Sequence, residues 1–186
     1  MPRFSTPFVF LLLGFGALAW TPVLTGCGAA PEVAMAEQGD DSAPKSGLEE
    51  LFGTRLLNAD GKETSLAALE GKKVGLYFSA HWCPPCRTFT PLLVDAYNQL
   101  QADGKPFEIV FVSSDRSADA MRAYMKEYEM DWPAIPFEAE QRKALAQRFG
   151  VRGIPTLVVV DTDGRTLSAD ARSQIAQWGA GAYERW

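Results

Sequence analysis

The residues with the clearest capacity for chemistry are Cys83 and Cys86, separated by Pro84 and Pro85 and preceded by His81 and Trp82. Two thiols at this spacing interconvert between dithiol and disulfide, and the thiolate of such a pair attacks disulfides elsewhere. Cys83 is well placed to be that thiolate, because a helical pattern begins immediately after it and the positive end of a helix dipole lowers the pKa of a nearby thiol. Neither proline carries an N–H, so the donors left within reach of a Cys83 thiolate are the amide and thiol of Cys86 and the amide of Arg87. The prolines also restrict the loop between the sulfurs, which reduces the entropy lost on closing the disulfide. The expected cycle runs from attack by Cys83, through a mixed disulfide, to its resolution by Cys86, which leaves the pair oxidised. No cofactor beyond this disulfide is expected. A zinc site needs four ligands, or three plus water, and beside this pair the chain offers only His81 and no second cysteine pair. A purely structural link would close too small a loop to constrain the unfolded chain.

The elements that must hold these residues are legible around them. Val74 to Ser79 is a short apolar run of strand formers, and Phe89, Leu92, Leu93, Ala96, Tyr97 and Leu100 recur at helical spacing between Pro84 and Leu100. A strand therefore hands over to a helix at the cysteines, and Pro91 falls inside that helix, where a kink is expected. Phe107 to Val112 predicts a second strand. Met121, Tyr124, Met125 and Tyr128 predict a helix capped by Ser117. A helix over Gln141 to Phe149 ends at Gly150, which suits the left-handed position after a helix, and Thr156 to Asp161 predicts a third strand. Asp163-Gly164 reads as a turn into an edge strand at Arg165 to Ser168, with a closing helix over Ala171 to Trp178. Leu51 to Leu57 is expected to add a strand before the Asp60-Gly61 turn. Strands separated by helical stretches predict an α/β fold, a central mixed β-sheet flanked by helices on both faces.

Ahead of this domain lies an address. Residues 1–26 carry one charge, Arg3, and a nearly continuous apolar run from Phe8 to Trp20, the layout of a secretory signal. That run is shorter than the roughly 20 residues a spanning helix needs. Leu24-Thr25-Gly26-Cys27 follows and resembles a lipobox, the bacterial signal for lipidating a cysteine that becomes the new N-terminus. This assigns Cys27, the odd cysteine, to lipidation; ordinary cleavage near Ala29 or Ala30 is the alternative. Residues 27–47 read as an anchored, flexible linker rich in Ala, Gly, Pro, Ser and acids. It would reach on the order of 25 Å as a coil. The folded domain is expected over residues 48–186. An exported, membrane-anchored protein of the cell envelope follows, and Gly28 after the lipidated cysteine leans towards the outer membrane.

Composition narrows the classes further. With 47% apolar and 11% aromatic residues the chain builds a core rather than a disordered tail. Its net charge of -5 and the lack of any Lys/Arg-rich run argue against a nucleic-acid partner.

Several segments in series carry a resemblance. Tyr77-Phe78-Ser79-Ala80-His81-Trp82-Cys83-Pro84-Pro85-Cys86-Arg87, Phe89-Thr90-Pro91, Val112-Ser113-Ser114-Asp115-Arg116, Trp132 with Ile135-Pro136-Phe137, and Phe149-Gly150-Val151-Arg152-Gly153-Ile154-Pro155-Thr156 are similar to segments of the tryparedoxins and nucleoredoxins. These belong to the thioredoxin superfamily, so the resemblance implies a thioredoxin fold and thiol-disulfide exchange. It also implies that Pro155 is a cis proline facing the cysteines, that Ile154 offers backbone hydrogen bonds to substrate, and that Trp82 is an exposed apolar lid. Trp132 is expected either in a loop near the sulfurs or in the core. Tyr77 stands where thioredoxins usually carry a buried Asp that takes the second cysteine's proton, and tryparedoxins share the tyrosine. His81 is then either a shuttle for that proton or an exposed bystander.

The expected function is reduction or exchange of disulfides in cell-envelope proteins, fed by an electron donor the sequence does not identify. The alternatives are a thioredoxin-like reductant for cytochrome c maturation, a peroxidase in its own right and a non-catalytic binding module on the same fold.

Overall fold

The computed structural model describes residues 47–186; the expected signal, lipidated Cys27 and linker lie outside them. Four strands form the central sheet, β3 (Lys73–Ser79), β4 (Phe107–Ser113), β5 (Thr156–Val160) and β6 (Thr166–Ser168), in the order β4-β3-β5-β6. β3 and β4 run parallel, with Tyr77 opposite Phe111 and Ser79 opposite Ser113. β5 and β6 complete the sheet antiparallel, with Leu157 opposite Tyr77. The sheet is therefore mixed, as the alternation of strand and helix patterns predicts.

Side-chain alternation along the strands divides the core in two. Tyr77, Ile109, Phe111, Leu157 and Val159 point to one face, where they pack with Phe89 and Leu93 of α2 (Pro84–Ala102), Met121 and Met125 of α3 (Ala118–Glu127) and Ile175 of α5 (Ala171–Trp178). Val74, Leu76, Phe78, Val110, Val112, Val158 and Val160 point to the other, against Leu48 and Phe52 of α1 (Gly47–Phe52) and Leu145 of α4 (Gln141–Arg148). Both faces of β3 and β4 are covered, which is why these strands read as continuous apolar runs.

The helix ends follow local chemistry. Ser117 accepts the Ala120 amide at 3.1 Å and opens α3, and Gly150 takes a φ of +60° just past α4. One expectation is corrected. Leu51 to Leu57 is not a single strand: α1 runs to Phe52, and only Leu56–Leu57 (β1) is extended, paired antiparallel with Glu63–Thr64 (β2). Leu48, Leu51 and Phe52 are all buried. Their i, i+3, i+4 spacing gives a helix one apolar face, whereas a strand would send neighbouring Leu51 and Phe52 to opposite sides.

Candidate active site

β3 delivers the chain to the edge of the sheet at Ser79, and α2 starts five residues later. Cys83 is the N-cap of α2, with extended backbone, and its sulfur accepts the Cys86 amide at 3.3 Å. Pro84 and Pro85 occupy the first two helical positions, where a missing N–H costs nothing because those amides lack an intrahelical acceptor. The Arg87 amide, the other donor expected near the sulfur, bonds instead to the Cys83 carbonyl at 3.1 Å. One amide and the helix dipole are thus what the backbone offers a thiolate at this position.

Cys83 and Cys86 are joined as a disulfide, their Cα atoms 5.2 Å apart. Cys86 is fully buried and Cys83 4% exposed, so an incoming group meets Cys83 first. Across the site the Ile154–Pro155 peptide bond is cis, and the Ile154 carbonyl oxygen lies 3.7 Å from Cys83 Sγ. Ile154 also packs against Ala80 and both cysteines.

Trp82 is 52% exposed, yet its ring is held, since Nε1 donates to the Ser114 carbonyl at 3.0 Å. The adjacent His81 amide donates to Asp115 Oδ1 at 2.8 Å, while Asp115 Oδ2 accepts from Ser113 Oγ at 2.8 Å. A buried carboxylate at the end of β4 therefore fixes the turn that presents Trp82 and Cys83. Asp115 entered the sequence reading only as part of a resemblance; its signal as a support is an acid placed directly after an apolar strand.

The His81 imidazole turns onto α3 rather than towards the sulfurs. Its Nε2 is 3.1 Å from Glu127 Oε2, and the ring stacks on Tyr124 with centroids 5.3 Å apart. Below Cys86 lies a cluster of hydroxyls. Thr90 Oγ1 donates to the Cys86 carbonyl at 2.9 Å and lies 2.8 Å from the Tyr77 hydroxyl and 2.5 Å from that of Tyr124. Ser79 Oγ is 3.1 Å from the Tyr124 hydroxyl. Burial, reinforced by Tyr124, pushes the Tyr77 phenol far above its ordinary pKa, so Tyr77 is a neutral hydroxyl at physiological pH. It touches Cys86 through Thr90, which the sequence offered only as part of the resemblance although it sits one helical turn after Cys86.

Trp132 takes the core alternative. It is 1% exposed and meets Tyr97 edge-on with centroids 5.1 Å apart, so its place is in the packing beneath the sheet.

Comparison with known proteins agrees with this geometry. The family model described as "Thioredoxin-like" matches residues 71–166. Nucleoredoxin from Bos taurus is 43% identical over 129 residues, which are 69% of this chain and 29% of that protein; the chain thus spans less than a third of the nucleoredoxins it matches. Tryparedoxin II from C. fasciculata superposes with a TM-score of 0.65 at 40% identity, over 71% of this chain and 88% of the other. Tryparedoxin from Trypanosoma brucei does so with a TM-score of 0.67 at 38% identity, over 75% and 96%. On a thioredoxin fold, with its cysteine pair at the mouth of α2, the chain belongs to the thioredoxin-like oxidoreductase family alongside the nucleoredoxins and tryparedoxins.

Proposed function

We propose that the protein is a thiol-disulfide oxidoreductase that reduces or exchanges disulfides of cell-envelope proteins. The observation that carries this is the difference between the two sulfurs: Cys83 caps a helix N-terminus and keeps the little exposure the pair has, while Cys86 has none. In the reducing direction the Cys83 thiolate attacks a client disulfide, and one client sulfur leaves as a thiolate. Cys86, losing its proton, then attacks Cys83 and releases the second client thiol. The client gains two electrons, the pair becomes the disulfide, and an electron donor must return it to the dithiol. No further cofactor enters this cycle.

The envelope setting rests on the sequence before the described residues. Residues 1–26 have the layout of an export signal, Leu24-Thr25-Gly26-Cys27 that of a lipidation site, and residues 28–47 that of a tether. In this reading the lipid on Cys27 holds the domain at a membrane facing the periplasm, with the outer membrane favoured by Gly28.

The reduction potential of the pair, measured on residues 47–186 in glutathione or dithiothreitol buffers by counting alkylatable thiols, tests the direction. A value near about -270 mV, where thioredoxin lies, supports a reductant; one near about -120 mV, as in the strong periplasmic oxidant, overturns it in favour of a disulfide donor.

A further inference from the structure

Near the sulfurs lies a groove of about 310 Å³ lined by Trp82, Ser114, Arg142, Arg152, Gly153 and Ile154. It borders the reactive pair, because Ile154, which lines it, places its carbonyl oxygen 3.7 Å from Cys83 Sγ. Part of its lining is apolar, contributed by Trp82, Val151 and Ile154.

The charged part of its lining has the sign opposite to the chain's net charge of -5. Among the described residues, Arg142 and Arg152 line the groove and no carboxylate-bearing residue does. Arg142 is fixed: Nη1 donates to the Ser113 carbonyl at 2.7 Å, and the group lies 4.1 Å from the centre of the Phe137 ring. Its Nε is buried without a hydrogen-bond partner among the described residues. Burial lowers the pKa of Arg142, with Glu138 and Asp115 opposing that shift from nearby. Asp115 is already committed to Ser113 and His81. Arg152 is exposed, and no ion pair engages it among the described residues. The site therefore holds two cations, one partly buried and held in place, the other exposed, next to an apolar wall and close to a reactive sulfur.

Whatever protein presents a disulfide to Cys83 must lay its neighbouring residues along Ile154 and Gly153. We propose that the groove receives the segment flanking the client's reactive cysteine and selects clients with a carboxylate side chain there, held by Arg152 and Arg142. Guanidinium groups suit this task because they bind a carboxylate through paired N–H donors. The proposal rests on the disulfide-exchange reading and adds a client class to it.

The test uses the purified protein and three synthetic disulfide peptides, identical except for Glu, Gln or Lys two residues from the reactive cysteine. The wild type reduces the Glu peptide with a kcat/KM about threefold to tenfold above that of the Gln peptide, through KM, with the Lys peptide lowest. The ratio shrinks as ionic strength rises. Arg152→Glu inverts the order of the Glu and Lys peptides. Arg165→Glu makes the same change in net charge in the β5–β6 hairpin and keeps the wild-type order. Equal kcat/KM for the three peptides, a Glu preference that survives Arg152→Glu, or one lost equally in Arg165→Glu would each overturn the groove. Failure to reduce any of the peptides would overturn the underlying reading as well, and so is distinct from a loss of selectivity.

Discussion

Outward from the cysteine pair lie Trp82, the Ile154 carbonyl and a groove edged by arginines; inward lie Tyr77, Ser79, Thr90 and Tyr124. The outer region is rich in groups with capacity to spare: an exposed indole, the Ile154 carbonyl beside Cys83 and a guanidinium without an acidic partner among the described residues. The inner region has spent its capacity, since each hydroxyl there bonds to another or to the Cys86 carbonyl. The contrast teaches a division of labour. In the proposed cycle partners are met and attacked through Cys83, while the hydroxyls behind Cys86 are bonded to one another and buried.

The largest expected effect separates the two sulfurs. Cys83→Ser should lower turnover of a protein disulfide by about three orders of magnitude or more, as loss of a nucleophile does. Cys86→Ser should also stop turnover in a steady-state assay while leaving a single round of attack intact. Equal loss of that first round in both variants would erase the distinction between the outer and inner sulfur.

Next in size is the inner region, where disruption should appear as instability. Thr90→Val takes from the buried Tyr77 hydroxyl its bond to Thr90, while Tyr124 keeps Ser79, and one unsatisfied buried group costs about 1–3 kcal/mol. A lowered denaturant midpoint with an unchanged rate of Cys83 alkylation is the expected pair of results. In the outer region Trp82→Ala should do the reverse. It should leave the midpoint nearly unchanged and reduce kcat/KM for a protein client roughly tenfold, the loss typical of an exposed aromatic anchor.

The smallest effect concerns pH. Burial raises the phenol pKa of both Tyr77 and Tyr124 in the folded state. The folded protein then holds these protons more tightly than the unfolded chain, whose tyrosines titrate at about 10. The stability this confers is fully present below about pH 10 and is lost as pH rises above it towards the folded-state values. Tyr77→Phe should flatten part of that alkaline decline in a pH series of unfolding midpoints, and an unchanged slope would show that Tyr77 ionises freely.

The fold was legible wherever burial imposed a period. β3 and β4 are covered on both faces and so show as unbroken apolar runs, α2 and α3 as single apolar faces, and Ser117 and Gly150 as helix punctuation. α1 was misread because its six residues offer barely more than one turn of periodicity, and Leu56–Leu57 follows so closely that the two merge into one apolar stretch. At the site, the cysteines, their prolines and Trp82 are adjacent in sequence and were read directly. Asp115, Thr90 and Arg142 were not, because each acts across the fold on a backbone group or ring that local spacing cannot bring near. Trp132 shows the same limit from the other side, since its position in a loop between elements gives no sign of the Tyr97 ring it packs against.

The most direct test of the central claim is to trap the intermediate. Reduced Cys86→Ser and reduced Cys83→Ser are each incubated with a disulfide-bonded client protein and read by mass spectrometry under non-reducing conditions. The account predicts a mixed disulfide through Cys83 in the Cys86→Ser protein and none in the Cys83→Ser protein; an adduct that forms equally through Cys86 in Cys83→Ser would contradict it.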